Sequence, residues 1–593
     1  MMITFVHTIA AYALLLYLPT GTVAFHQVAP TSIDKVVVSS TSLKRDERAA
    51  KAKDVWKTVA FAPTPRRDEI ISLDNSNDSV TVLNEGLFED FKNKIKGTFF
   101  INGLSSCQIG RYTRQINPME SHGYVKSLAF DGKGSLHLKA SIVETPLAQA
   151  ENRLKCPIAR GVMSSLAGTE TALSCLGNAL APTERDTANL VATLWPPSDT
   201  LDSEMEPVLI VAGDNGAPYC INPKTMESMG KLSWHTPDLN EHLGGKKMMA
   251  HMRYDAKRQR LILCSTSFDL YGTNGKDDSS TGSSTNNKGN TMVEFMEFDK
   301  NFQLVSKREF MTRFMVFHDW MITDNYYVIP KNPARVRWAD MTKFIMGAKL
   351  GVDVFEMDEA APGELILIPR HDQEEKVKEV KADSFFNIFH VGPCYENNDT
   401  GELVVLANVF DKFRFGGEMG TEEFDPIQWS SSDSAPPPQL DKFVVDIATG
   451  TMKSRERISV LDESTGADIP LDMPTFHEDG AKTRYSYFAG ASRPEGWFPF
   501  RSIVKVDLDF EETWNWDAGD DCVVSEPTFI PRPATKAEDD GFVVSIVHNT
   551  ASLTCELVIW DSTTFQDGPI GIINLGELMP WCVHGCWSPD YIA

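Results

Sequence analysis

The sequence predicts an all-β fold and, within that class, a β-propeller. Three observations lead there. From about Ile95 onward, short β-branched and aromatic runs alternate with turn residues. Helical periodicity is scarce over the same stretch. The chain has 593 residues, and a sandwich or barrel closes long before the roughly 480 residues these runs occupy, whereas a propeller adds blades.

The chain opens differently. Ile9–Leu18 is an apolar core of signal-peptide length, short of the about 18 residues a membrane span needs. Pro19 and Gly21 break it, and Thr22-Val23-Ala24 offers small residues for cleavage, although no Lys or Arg precedes the core. Residues 1–24 therefore read as a signal peptide. His26–Lys53 is rich in Ser, Thr, Lys and Arg. A signal peptide, then Phe25, then a basic Ser-rich segment resembles the bipartite plastid presequence of algae with secondary plastids. That resemblance implies a transit segment over 25–60 and a plastid location, with secretion or an endomembrane lumen as the alternative. No later run is long and apolar enough for an integral membrane helix.

Further along, Val208–Ile221 reads as two strands around Gly213-Asp214-Asn215-Gly216, and Asn222–Thr225 as the next turn. Phe443–Gly450, Arg501–Asp507 and Gly541–Val547 repeat the strand pattern. Asn325–Ile329 reads as a strand that Pro330 ends. Asn274–Asn290, Ser430–Gln439 and the charge run His371–Asp383 read as solvated rim loops. Trp338–Leu350 reads as a helix, and two roles stand for it: a core-facing element, or an amphipathic cap that touches a membrane surface.

Composition narrows the function. The formal net charge is −25, a field that repels phosphate backbones and excludes nucleic acid as a partner. Ten cysteines in a chain of this length are too sparse for a disulfide scaffold, and Cys582 and Cys586 read as free thiols.

Among thirteen histidines, His318 is followed directly by Asp319 on a turn feeding a strand. Taken alone this is an ordinary turn histidine. Four histidines together, however, lie in contexts that resemble the carotenoid cleavage oxygenase family: Met249-Ala-His251-Met-Arg-Tyr-Asp255, His318-Asp-Trp-Met-Ile-Thr-Asp-Asn-Tyr326, Phe389-His390-Val-Gly-Pro-Cys-Tyr-Glu396 and Val583-His584-Gly-Cys-Trp587. The first three are roughly 70 residues apart, about one propeller blade. Gly97–Gly103 and Phe130-Asp-Gly-Lys-Gly134 are similar to two further family motifs, so the resemblance runs from about residue 95 to the C-terminus.

The resemblance implies a seven-bladed β-propeller over residues 80–593, with a cap of loops and short helices over the metal-bearing face. It implies one Fe(2+) per chain held by His251, His318, His390 and His584, a donor set that suits ferrous iron among other metals. It also implies three acids orienting rings from behind: Asp214 in Gly213-Asp-Asn-Gly-Ala-Pro-Tyr219, Asp472 in Asp472-Met-Pro474, and Glu526 in Ser525-Glu-Pro527. Two of these are Asp where the family has Glu. The implied activity is oxidative cleavage by O2 of a conjugated double bond in a carotenoid or apocarotenoid, giving carbonyl products. Polyene isomerisation, stilbene-type alkene cleavage and a catalytically silent pigment- or lipid-binding propeller are the alternatives.

Overall fold

The computed structural model describes residues 45–593 except for 108–115, 167–168, 170, 183–184, 198–204, 215, 270–289, 372–373, 415–423, 432–434, 463–465, 477–481, 492–495 and 536. The expected signal peptide and the transit segment as far as residue 44 lie outside the described residues, as does nearly all of the loop expected over Asn274–Asn290.

The strands form seven antiparallel sheets, the blades of a propeller. In chain order, blade 1 runs from Val191 to Lys231, blade 2 from Arg253 to Arg313, blade 3 from Met315 to Lys381, blade 4 from Asn387 to Ile458 and blade 5 from Leu471 to Asp517. Blades 6 and 7 close the ring with both ends of the chain. Val80–Val82 pairs with Gly571–Glu577 in blade 6, and Lys96–Gly103 pairs with Cys582–Ser588 in blade 7. These pairings tie both ends of the chain into the ring. Val208–Ala212 and Tyr219–Ile221 flank the Gly213–Gly216 turn as expected.

Three readings need correction. Pro330 does not end its strand, which runs from Tyr326 to Val336. On one edge Tyr327 and Val328 pair with Ile322 and Met321, and Asn332 and Pro333 pair with Val316 and Met315. Pro330 falls at the interruption between them, where that edge asks for no ladder hydrogen bond. The charge run His371–Asp383 contains an outer strand, Lys378–Lys381, that buries Val380 against the core. Ser430 and Ala435, placed in a solvated loop by composition, are buried, and the Trp497 indole N–H donates to the Ala435 carbonyl.

The folded unit also begins earlier than residue 80. Arg45–Ala60 is an α-helix within the compact unit Arg45–Ala593. Its apolar residues Ala52, Val55, Trp56 and Val59 recur at helical spacing and are buried. Lys51 pairs with Asp521 and Lys53 with Asp425. The segment 45–60 is therefore part of the propeller's packing. No helix among the described residues is long and apolar enough to cross a membrane.

A buried ion pair anchors the helix Pro146–Leu154. Glu151 is fully buried, and both its oxygens accept from Arg185 at 2.8 and 2.9 Å. His122 Nε2 lies 2.8 Å from the same carboxylate, but burial holds His122 below its ordinary value, so Arg185 is the charged partner. Burial opposes the Glu151 carboxylate, yet His122 and Arg185 together bring it down to about 2 from 4.5. A depressed carboxylate contributes stability above its unfolded value and loses it as pH falls toward the folded one. About 2 kcal/mol of this contribution is gone by pH 3. The stability gap between wild type and Glu151→Gln, measured by denaturant unfolding, is expected to shrink by about that amount from pH 6 to pH 3.

Candidate metal centre

The seven blades each bring one group to the centre. Blades 2, 3, 4 and 7 supply His251, His318, His390 and His584; blades 1, 5 and 6 supply Asp214, Asp472 and Glu526. One nitrogen from each histidine lies within 4.8 Å of those of the others. His251, His390 and His584 are buried and His318 nearly so.

Local irregularities aim these side chains. His390 lies in Asn387–Asn397, where the register with Glu402–Phe410 shifts on both sides of Val391. His584 lies where the pairing of Lys96–Gly103 with Cys582–Ser588 shifts by a residue. Such bulges redirect a side chain toward the axis. The glycine after His584 has a steric reason: a Cβ on Gly585 would stand 2.4 Å from the Phe100 carbonyl oxygen.

Each acid holds one ring by Nδ1. Asp214 Oδ2 is 2.5 Å from His318, Asp472 Oδ1 is 2.7 Å from His390, and Glu526 Oε1 is 2.8 Å from His584. The two aspartates therefore reach despite the shorter side chain. Backbone placement supplies the difference. Asp214 sits on a turn and also accepts from the Ala250 N–H. Asp472 precedes a bulge in which the buried Met473 adopts a left-handed φ of 53°. With Nδ1 donating to an acid, each of these rings presents Nε2 as a lone pair toward the centre. His251 Nε2 stands 3.2 Å from His318 Nε2, and the buried Nε2 of His390 has no hydrogen-bond partner. Converging acceptors of this kind fit a cation and little else.

The electrostatics of two rings match this role directly. Burial, with the neighbouring imidazoles, holds His251 and His584 well below their ordinary values, so both are neutral and able to ligate. Burial also acts on His318, but Asp214, aided by Asp319 and Asp472, outweighs it and raises this imidazole. Burial opposes the Asp214 carboxylate, yet His318 brings it below the usual range. Burial pushes Glu526 up to about 8, against the Gly585 N–H that donates to it.

One flank of the centre is aromatic. Phe389 lies 4.7 Å from His318 between ring centroids and 5.6 Å from Phe413. Trp429, Trp497 and Phe498 continue this wall to Trp581, three residues before His584. Trp56 of the Arg45–Ala60 helix completes it, 5.7 Å from Trp581. Sequence reading missed this wall because its residues come from six separate stretches. It also gave no role to Asp319, although that residue directly follows His318. His548 is a fully buried core histidine whose Nδ1–H donates to the Met579 carbonyl and whose Nε2 accepts from the Ser525 hydroxyl.

The profile of the family described as retinal pigment epithelial membrane protein matches residues 93–589. Apocarotenoid-15,15'-oxygenase of Synechocystis sp. is 24% identical over 499 residues, covering 83% of this chain and 90% of its own. Carotenoid cleavage dioxygenase 7, chloroplastic, of Arabidopsis thaliana is 23% identical, covering 83% of this chain and 85% of its own. The crystal structure of cobalt-substituted Synechocystis apocarotenoid oxygenase superposes with a TM-score of 0.72 at 21% identity, covering 90% of this chain and 98% of that one.

Proposed function

Because the chain belongs to the retinal pigment epithelial membrane protein family, that of the carotenoid cleavage oxygenases, we propose that it is an Fe(2+)-dependent dioxygenase that cleaves a conjugated double bond of a carotenoid or apocarotenoid into two carbonyl products. The observation that carries this is the convergence of His251, His318, His390 and His584, three of them oriented by Asp214, Asp472 and Glu526. Bound ferrous iron supplies the activation of dioxygen. The protein's own work is placement. The acids hold three imidazoles in the ligating tautomer. The aromatic wall from Phe389 to Trp581 excludes water and gives a polyene a flat apolar surface. No side-chain acid or base is required by the overall reaction.

Product analysis tests this. Iron-loaded protein incubated with a panel of plastid carotenoids is expected to yield aldehydes or ketones that carry oxygen from O2. Folded protein that binds no iron and forms no carbonyl product overturns the proposal; a product without added oxygen supports isomerisation instead. Asp472→Ala, which leaves the His390 Nδ1–H without its acceptor, is expected to weaken metal binding about 10- to 100-fold in a chelator competition.

The same proposal includes a plastid location and peripheral membrane contact. The helix Trp338–Ile345 packs Met341 and Phe344 against the core without fully burying any side chain. Beside it, Asn178 of the helix Ala172–Leu180 donates to the Gly347 carbonyl. Leu173 is 80% exposed, and Leu176, Ile345 and Met346 are more than half exposed, an apolar patch suited to a lipid surface that holds an insoluble substrate. The double substitution Leu173→Glu, Ile345→Glu is expected to lower co-sedimentation with plastid-lipid vesicles several-fold; unchanged binding removes the membrane contact from the proposal.

A further inference from the structure

Asp319 is a fourth acid at the centre, bonded differently from the other three. It is 2% exposed. Its Oδ1 accepts from the Trp320 N–H at 2.8 Å and from the Arg253 guanidinium. Its Oδ2 accepts from the Val391 N–H at 3.1 Å. Arg253 stands two residues after His251, Asp319 directly after His318, and Val391 directly after His390. One carboxylate thus joins the ring-bearing segments of three consecutive blades.

The same group bears on His251. This is the ring whose Nδ1 is held by none of Asp214, Asp472 and Glu526. Asp319 Oδ1 lies 3.6 Å from that Nδ1, beyond hydrogen-bond length but close enough to act through charge. The backbone of His251 is fixed through the same residues: the Trp320 indole N–H donates to the His251 carbonyl at 3.0 Å, and Arg253 Nε donates to the Trp320 carbonyl at 2.8 Å. Burying a carboxylate is costly unless its lone pairs are filled. Here donors from three blades fill them, so the carboxylate is held rigidly and holds its neighbours in turn.

We propose that Asp319 is a positioning residue of the metal centre: it sets the spacing of the His251, His318 and His390 segments and is the acid that orients His251. This rests on the reading of the four histidines as metal ligands. The substitution Asp319→Asn keeps the shape, removes the charge and turns one of the two acceptor oxygens into a donor.

The test is a titration of the full chain with Co(II), read by its visible ligand-field spectrum and by chelator competition, with the melting temperature of the metal-free protein measured alongside. D319N is expected to bind cobalt at least 10-fold more weakly and with an altered spectrum, whether or not its metal-free melting temperature falls with the loss of the Arg253 pair. Its effect is also expected to shrink in a His251→Ala background, as for residues acting partly through one another. Wild-type affinity and spectrum in D319N overturn the inference. So does a loss of affinity with an unchanged spectrum and a lowered metal-free melting temperature, which marks a purely structural role. If D319N does not fold, Arg253→Gln removes the cationic partner from the other side; unchanged cobalt affinity there overturns the inference equally. A wild-type chain that takes up no cobalt refutes the four-histidine reading itself, an outcome distinct from failure of Asp319 alone.

Discussion

Replacing His318 by alanine is expected to abolish stoichiometric metal binding and, with it, carotenoid cleavage. His318 is within 3.2 Å of His251 through Nε2 and within 2.5 Å of Asp214 through Nδ1, so truncation removes a ligand and strands an acid together. The loss is expected to exceed the about 10- to 100-fold attached to removing an acid behind a ring. Leaving the Asp214 carboxylate without its imidazole adds a stability cost of about 1–3 kcal/mol, modest beside the buried core of seven blades. The variant should therefore remain folded. Metal per chain, measured on purified protein, and product formation are the readouts. A His318→Ala protein that keeps both its metal and its activity is incompatible with the centre described here.

Trp56→Ala is expected to have the largest effect on stability. The ring is 2% exposed and packs edge-on against Phe498 at 5.0 Å, Trp581 at 5.7 Å and Phe424 at 6.4 Å. Truncating a buried tryptophan costs about 3–5 kcal/mol, a large share of the about 5–15 kcal/mol that holds a typical domain folded. Removing residues up to Ala60 should cost more, because it also takes Val55, Val59 and the Lys51–Asp521 pair. A chain beginning at Arg45 is the reference for this comparison. Equal midpoints for chains beginning at Arg45 and at residue 61 would mean that the helix contributes nothing.

How far the sequence could be read depended on the range of the physics involved. Strand runs around Gly213–Gly216 were legible because turn residues act locally through φ and missing or added donors. The four histidines were legible through short motifs around each. The start of the folded unit was not, because Arg45–Ala60 continues the basic composition of the residues before it. What separates them is the apolar surface of Trp581, Phe498 and Phe424 that receives Trp56, hundreds of residues away in sequence. Pro330 misled for a related reason: whether a proline ends a strand depends on which edge still needs its N–H.

By itself, then, the sequence determined the class of fold, the four imidazoles and the three acids. It did not determine which acid serves which ring, or that each acid comes from a blade without a histidine. It also left open whether an aspartate could reach where the family has glutamate. Ring closure decided the first two by directing seven innermost strands at one axis. The third is answered by the folded positions of Asp214, on a turn, and Asp472, before a bulge, from which both carboxylates reach their rings. Reach is a property of backbone position, and backbone position is fixed only when all the blades are packed.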